Sequence, residues 1–172
     1  MTVLQGEYLI LREWRESDLD ALAALRNDID LQALLMAQAK PNSTENVRNW
    51  LQSRSSCDDA VFFVAAAPDQ SVLGYLQVLN IDRYQGVGDL GICFSPTAQG
   101  HGLAEEACSL LESYLRTTLS LRKLTLKVLA SNSRAIAFYR KTGYREVGTL
   151  GRQFRARDRF EDVMIMEKFI DP

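Results

Sequence analysis

Cysteine and histidine are scarce in this chain of 172 residues, which has three cysteines and one histidine. An odd, sparse set of cysteines does not make a disulfide framework, so a reducing compartment, the cytoplasm, is the expected location. There is no Cys-x-x-C pair and no Cys/His cluster. We therefore expect no metal site.

Long apolar runs and a basic excess are also missing. No stretch of about 18 apolar residues appears, so no membrane-spanning helix and no membrane partner are predicted. The N-terminus lacks the basic segment and apolar run of a signal peptide. The net charge of −2 and the pI of about 5.5 argue against a protein that coats nucleic acid.

The composition is that of a globular protein, with 47% hydrophobic and 24% charged residues. A chain of this length can bury a core without metals or disulfides. We find no internal repeat, low-complexity stretch or linker. The sequence therefore predicts one domain over residues 1–172.

Apolar spacing predicts alternating strands and helices, and hence an α/β fold. Predicted strands cover 8–14, 61–66, 72–81, 87–94, 124–129, 144–150 and 162–169. One predicted helix begins after Ser17, and a second covers 30–37. A third begins after the capping pair Asn42 and Glu45. The last two cover 103–119 and 133–142, and Ser133 is the expected cap of the final one. The unit from 87 to 129 has the order of a right-handed crossover in a mixed sheet.

A glycine-containing loop precedes the longest predicted helix. Gly100 and Gly102 flank His101 where that helix should begin. Backbone N–H groups at a helix start lack intrahelical partners and attract anions, and glycine lets an anion come close to them. A plain tight connection is the alternative. The loop matches neither G-x-x-x-x-G-K-S/T nor G-x-G-x-x-G.

The same loop carries a resemblance to a known family. Residues 99–104 match the Gln/Arg-x-x-Gly-x-Gly/Ala signature of the GNAT acyltransferases. The preceding strand at 89–96 and the segment 132–144, with Asn-x-x-Ala-x-x-x-Tyr-x-x-x-Gly-Tyr, resemble the family's elements on either side. Residues 8–12 and 159–163 resemble the Rim-type subgroup of ribosomal-protein N-terminal acetyltransferases.

The resemblance implies the GNAT fold, a mixed central sheet of about seven strands with helices on both faces and a splayed central strand pair. It implies acetyl-CoA as cosubstrate and transfer of the acetyl group to a primary amine by direct attack. A bulged strand would offer free backbone groups to the pantetheine arm. The implied cofactor-binding residues are Ile92, Cys93, Phe94, Gln99, Gly100, His101, Gly102, Leu103, Ala104, Asn132 and Ala135.

Two residues are candidates for catalysis under this resemblance. Tyr139 would be the general acid that protonates the leaving thiolate; the alternative is an aromatic residue that packs in the core. Asp89 stands where the Rim-type subgroup has Glu, and would be a base or the anchor of a water relay that deprotonates the amine. The alternative for Asp89 is a strand-edge carboxylate that caps a turn.

Three other side chains are not expected to react with the substrates. Asn132 is either a cofactor ligand or a helix cap. His101 is a phosphate neighbour or a solvent-facing residue. Cys93 lies near the expected thioester, but no histidine is available to activate it, so a small buried strand residue is the favoured interpretation.

The acceptor is the least defined part of the prediction. Four arginines between the last two strands, Arg152, Arg155, Arg157 and Arg159, would repel a polyamine and attract a phosphate or carboxylate; a solvated charged loop is the alternative. A nucleotide-linked amino sugar and a protein N-terminus both fit. The Leu25-Arg26-Asn27 and Trp50-Leu51 segments weakly resemble the amino-sugar enzymes.

Other classes of function stay open. The domain could bind acyl-CoA without catalysis, as a sensor or interaction module, or it could bind another nucleotide. The family resemblance also leaves room for a homodimer.

Overall fold

Eight strands form one mixed sheet in the computed structural model, which describes residues 3–172. The strands are β1 (Val3–Gln5), β2 (Ile10–Arg12), β3 (Val61–Ala66), β4 (Val72–Asp82), β5 (Val87–Phe94), β6 (Lys123–Leu129), β7 (Arg145–Ala156) and β8 (Arg159–Phe169). Their spatial order is β1-β2-β3-β4-β5-β6-β8-β7. β5 and β6 run parallel, and the other described pairs are antiparallel.

Five α-helices connect the strands. They are α1 (Leu19–Asn27), α2 (Ile29–Leu34), α3 (Thr44–Ser56), α4 (Leu103–Leu119) and α5 (Ser133–Lys141), with short 3₁₀ turns at Glu16–Asp18 and Pro96–Ala98. α4 provides the crossover between the parallel strands β5 and β6, as the pattern predicts. None of the helices formed by residues 3–172 has the length and apolar character needed to cross a membrane.

Two apolar layers cover the two faces of the sheet. The layer on the α4 side includes Leu76, Leu90, Leu111, Leu124 and Met166. The layer on the α1 and α3 side includes Leu22, Val47, Leu51, Val64 and Tyr75. Because side chains alternate along a strand, β5 contributes Leu90 and Phe94 to the first layer and Cys93 to the second.

The sheet is splayed at its centre, as expected. β5 pairs with β6 only at Val87 with Lys123, Gly88 with Leu124 and Asp89 with Thr125. β6 continues to pair with β8 along its length. The β5 backbone beyond Asp89 therefore has a free edge toward β6.

A bulge lies in β4, where the register against β5 shifts between Leu79 and Asp82. Asn80 has φ of 51° there. The bulge therefore re-aims the Asn80 side chain beside the point where β5 leaves β6.

β1 and the arginine-rich segment were not predicted as strand. Among residues 3–172 the sheet has eight strands, in line with the expected number of about seven, and the additional strand β1 is too short to show an alternating pattern. Residues 151–161 are not a connecting loop: β7 and β8 continue through them as a hairpin, with a register shift between Leu150 and Phe154. Phe154 and Ala156 are half-buried and alternate with the exposed Arg155 and Arg157, but so short an alternation among charged residues does not stand out in the sequence.

Several caps shift by a residue or two. Ser43, not Asn42, caps α3 by accepting the N–H of Asn46. Asn132, not Ser133, caps α5. Ser17 lies inside a 3₁₀ turn and caps no α-helix.

Candidate active site

A cavity of about 1070 Å³ opens where β5 and β6 diverge. Its walls come from both sides of the sheet. α4 and α5 supply one wall through Ala104 and Tyr139, and α1 and α3 supply the other through Arg26 and Trp50. The splay thus joins two half-sites into one continuous space.

The start of α4 is built to receive an anion. Gly102 is its N-cap residue, with φ of 74° and no side chain to accept a hydrogen bond from the first turn. Gly100 has φ of 84°, and both values are ones that other residues rarely adopt. The first amides of a 17-residue helix therefore face the cavity without a side-chain cap.

Charged side chains near this loop reinforce its positive potential. The Arg134 guanidinium is 4.0 Å from the position that a Cβ on Gly100 would occupy. The two acids in the first turn are engaged elsewhere: Glu105 pairs with Lys141 at 2.6 Å, and Glu106 accepts the backbone N–H groups of residues 7 and 8.

Gln99 fixes the loop to the end of β5. Its Nε2 donates to the backbone oxygen of Phe94 at 3.1 Å. This bond fixes the position of the loop relative to the free edge of β5. The backbone carbonyl of Phe94 is therefore already hydrogen-bonded.

Tyr139 lies on α5 with its ring in an aromatic cluster. It meets Phe138 and Tyr144 edge-on, at centroid distances of 5.4 and 5.5 Å. Burial, and then the nearby Cys108, raise the pKa of the Tyr139 phenol above its usual value near 10. The phenol is therefore a protonated donor at neutral pH.

Asp89 lies at the last paired residue before the splay. It accepts a hydrogen bond from Asn80 Nδ2 at 2.9 Å and another from the Thr125 hydroxyl. These bonds tie β4, β5 and β6 together at the point of divergence. The Asp89 side chain remains exposed and lines the cavity.

Asn132 and Ala135 lie together at the start of α5. The Asn132 Oδ1 accepts the N–H of Ala135 at 3.2 Å, so the cap interpretation of Asn132 holds in this structure. Both residues also line the cavity.

Cys93 is 2% exposed and pairs across the strands with Tyr75. Burial raises the pKa of the Cys93 thiol to about 11, although the Tyr75 hydroxyl lowers it in part. A thiol in this state is a poor nucleophile, which favours the interpretation of Cys93 as a buried strand residue.

The cavity gathers both candidate catalytic residues and all the candidate cofactor-binding residues except His101 and Leu103. His101 is exposed, and Leu103 packs against the α4-side core. The four hairpin arginines do not line the cavity. Arg159 pairs with Glu161 at 2.8 Å, and Arg152 lies 5.6 Å from the centroid of the Phe160 ring.

Sequence reasoning missed most of the wall on the α1 and α3 side. This wall contains Arg26, Trp50, Arg54, Tyr75 and Gln77. The weak similarity at Leu25-Arg26-Asn27 and Trp50-Leu51 was the only signal in the sequence for any of them. Arg26 lies over the Trp50 ring, with its Cζ atom 4.1 Å from the centroid.

Residues 8–145 match the model of the acetyltransferase (GNAT) domain. The chain belongs to this family. Among curated proteins, it is 24% identical over 152 residues to the uncharacterized N-acetyltransferase YokL of Bacillus subtilis prophage SPbeta, covering 87% of this chain and 83% of that protein.

Spermidine N(1)-acetyltransferases are also similar. The Vibrio cholerae protein is 28% identical over 104 residues, which cover 60% of each chain. The Escherichia coli K12 protein is 33% identical over 98 residues, 57% of this chain and 53% of that one. The matched segments thus span only 53–60% of these two enzymes.

The solved structure of V. cholerae spermidine N-acetyltransferase with CoA and spermine has the same fold. Its TM-score is 0.88 at 22% identity, covering 95% of this chain and 96% of that chain. The GNAT fold expected from the sequence is confirmed. The relatives are spermidine N-acetyltransferases and not specifically Rim-type enzymes.

The family establishes the class of reaction. The chain is an N-acetyltransferase that uses acetyl-CoA as its cosubstrate.

Proposed function

We propose that the acetyl group passes directly from acetyl-CoA to a small primary amine in the gap between β5 and β6, with Tyr139 as the general acid. One observation carries this proposal. The cavity joins the uncapped start of α4, the free edge of β5 and Tyr139 in a single space.

The cofactor would enter from the side of α4 and α5. The backbone N–H groups of residues 102–104 would hold the pyrophosphate, with Arg134 adding positive charge. His101 would lie near the phosphates and Leu103 would contribute through its backbone. The pantetheine arm would follow the free edge of β5 along residues 92–94, with Asn132 and Ala135 on its other side.

Proton movements then follow from the two candidate catalytic residues. The neutral amine attacks the thioester carbonyl, a tetrahedral intermediate forms, and the C–S bond breaks as the carbonyl returns. The Tyr139 hydroxyl donates its proton to the leaving sulfur, while the nitrogen of the intermediate loses its extra proton to water as the amide forms, and the phenolate is then reprotonated. Asp89, held by Asn80 and Thr125, would accept the proton of the incoming ammonium through water.

The acceptor would approach from the side of α1, α2 and α3, through the half of the cavity that contains Trp50 and Tyr75. The sequence favours a nucleotide-linked amino sugar or a protein N-terminus, whereas the V. cholerae and E. coli relatives are spermidine N(1)-acetyltransferases. The charge of the cavity wall bears on this choice.

Self-association is part of the proposal. A V. cholerae relative has a dodecameric structure, at TM-score 0.81, and members of the family often dimerise. A particle mass above the chain mass of 19.4 kDa in sedimentation would support a homodimer or larger assembly.

Acetyl transfer is tested by incubating the protein with acetyl-CoA and a panel of primary amines. We expect CoA thiol release matched by an equal yield of acetylated amine in mass spectrometry. Thermal stabilisation by acetyl-CoA with no thiol release above background would instead indicate a non-catalytic acyl-CoA sensor. Stabilisation by ATP or NAD but not by CoA would contradict the cofactor assignment.

A further inference from the structure

Two arginines and a glutamine converge on the acceptor half of the cavity. We call this group, together with the rings of Trp50 and Tyr75, the arginine pocket; its members are Arg26, Trp50, Arg54, Tyr75 and Gln77. Arg26 comes from the end of α1 and Arg54 from α3, while Tyr75 and Gln77 point from β4 toward the same side. Packing of α1 on α3 places both arginines on one wall of the cavity.

The polar atoms of this pocket lack partners. The Nε atoms of Arg26 and Arg54 and the Oε1 atom of Gln77 are buried, and none has a hydrogen-bond partner within residues 3–172. Neither guanidinium forms an ion pair with a carboxylate of the described chain. Buried polar groups in folded proteins are nearly always hydrogen-bonded, so three such atoms around one cavity indicate that a ligand completes them.

The charge of the cavity wall indicates the sign of that ligand. The wall carries five cationic side chains, Arg26, Arg54, Lys127, Arg134 and Lys141, and two carboxylates, Asp89 and Glu105. Asp89 is engaged by Asn80 and Thr125, and Glu105 and Lys141 pair with each other. The other four cations of the wall form no ion pair with a carboxylate among residues 3–172.

Asp28 is a further acid close enough to Cys93 to act on its thiol, and it caps α2 by accepting the N–H of Leu31. A polycation would therefore meet repulsion here, and an anion would be attracted. Guanidinium groups match the planar, two-oxygen geometry of a carboxylate or phosphate.

We propose that the arginine pocket binds a phosphate or carboxylate carried by the amine acceptor, so that the enzyme acetylates an anionic amine and not a polyamine. This inference rests on the proposed function, because that function places the reacting amine near Asp89.

The register of β4 and β5 gives the distance between the Tyr75 end of the arginine pocket and Asp89. Cys93 pairs with Tyr75 and Asp89 with Leu79, four residues along each strand. At about 3.3 Å per residue, roughly 13 Å separate the two ends. An acceptor with its amine and its anion well apart fits this length.

A matched set of acceptors tests the inference. 6-Aminohexyl phosphate, 6-aminohexanoate and hexylamine share one amine and chain and differ in the anion, while spermidine supplies the polycation. We expect kcat/KM for the better anionic compound to exceed those for hexylamine and spermidine by about tenfold or more. Comparison of 6-aminohexyl phosphate with 6-aminohexanoate shows whether the pocket prefers a phosphate or a carboxylate. Equal or higher efficiency with hexylamine or spermidine would overturn the inference.

Variants locate the effect in the pocket. In Arg26→Gln and Arg54→Gln, we expect the ratio of kcat/KM for 6-aminohexyl phosphate to that for hexylamine to fall by about tenfold, mainly through KM. Arg155→Gln is the matched control, because Arg155 is an exposed hairpin arginine outside the cavity wall. An equal change in all three variants, or none in any, would contradict the assignment.

A binding measurement keeps the test independent of turnover. With the cofactor site saturated by CoA, inorganic pyrophosphate should bind the wild-type protein in calorimetry, and Arg54→Gln should weaken that binding by about tenfold. If pyrophosphate does not bind the CoA-loaded protein and no anionic amine is preferred, the arginine pocket is not an anion site. Failure of CoA itself to bind would overturn the proposed function separately.

Discussion

Tyr139 lines the cavity from α5 and has a raised pKa, which keeps its proton in place for donation. Tyr139→Phe removes the hydroxyl and leaves the ring packing, so we expect kcat to fall by about 10²–10⁴-fold, the usual contribution of a general acid. The dissociation constant for acetyl-CoA, measured by calorimetry, should hardly change.

Tyr144→Phe is the control for this variant. Tyr144 packs against Tyr139, but its hydroxyl is buried, has no hydrogen-bond partner among residues 3–172 and lies outside the cavity wall. We expect its kcat to match the wild type. Loss of CoA binding in Tyr139→Phe would show that this residue serves packing instead. Because the raised pKa keeps the phenol protonated in alkali, ionisation of Tyr139 should not reduce kcat up to about pH 9.

Cys93 allows a chemical test of the same cavity. With a pKa of about 11, only about one thiol in a thousand would be ionised at pH 8. Iodoacetamide should therefore label the exposed Cys57 and leave Cys93 unmodified, as mapped by peptide mass spectrometry. Labelling of Cys93 as fast as Cys57 would contradict its assignment as an inert buried thiol.

At the scale of elements, we propose that the start of α4 binds the pyrophosphate of the cofactor. Gly102→Glu places a carboxylate at a helix N-terminus that has no other side-chain cap. We expect acetyl-CoA affinity, measured by calorimetry, to be lost through charge and steric conflict with the pyrophosphate.

Two control variants separate the effect of the added carboxylate at the loop from the loss of glycine and from an added charge elsewhere. Gly102→Asn introduces a residue that tolerates the left-handed backbone conformation and adds no charge. This variant should therefore bind acetyl-CoA far better than Gly102→Glu. Gly148→Glu adds the same carboxylate to β7 at another open glycine. Unchanged affinity in Gly102→Glu would refute the role of the loop.

The junction of β2 with the first helical turn depends on one buried ion pair. Arg12 is 1% and Asp18 2% exposed, and their side chains meet at 2.8 Å. Asp18→Ala leaves the guanidinium buried without its partner, so we expect the free energy of unfolding to fall by about 3–5 kcal/mol. Urea denaturation measures this change.

Glu16→Gln is the matched control, because Glu16 pairs with Arg48 at the surface. Its denaturation midpoint should stay close to that of the wild type. A shift as large as that of Asp18→Ala would mean that burial is not what makes the Arg12 pair important.

Elements with a continuous period could be predicted from the sequence. β3, β5 and α4 have the predicted bounds, because each carries an unbroken apolar pattern and ends at glycine, proline or a polar turn. β1 was missed because three residues show no period. The hairpin at the ends of β7 and β8 was missed because its alternation, Phe154 and Ala156 with exposed arginines, is only a few residues long.

At the scale of the whole molecule, the two halves of the site differ in how far the sequence defines them. The cofactor half comes from local motifs, such as the loop at 99–104 and the start of α5. Arg26, Arg54 and Gln77 belong to three separate elements, and only packing of α1 and α3 on β4 brings them to one wall. A single sequence holds no local signal for such a convergence.

A structure of the protein with bound CoA tests the central claim most directly. We predict that the pyrophosphate oxygens lie within hydrogen-bond distance of the N–H groups of residues 102–104. The pantetheine arm should run between β5 and β6, with its sulfur beside the Tyr139 hydroxyl. CoA bound outside the splay, or with its sulfur away from Tyr139, would contradict this assignment of the site.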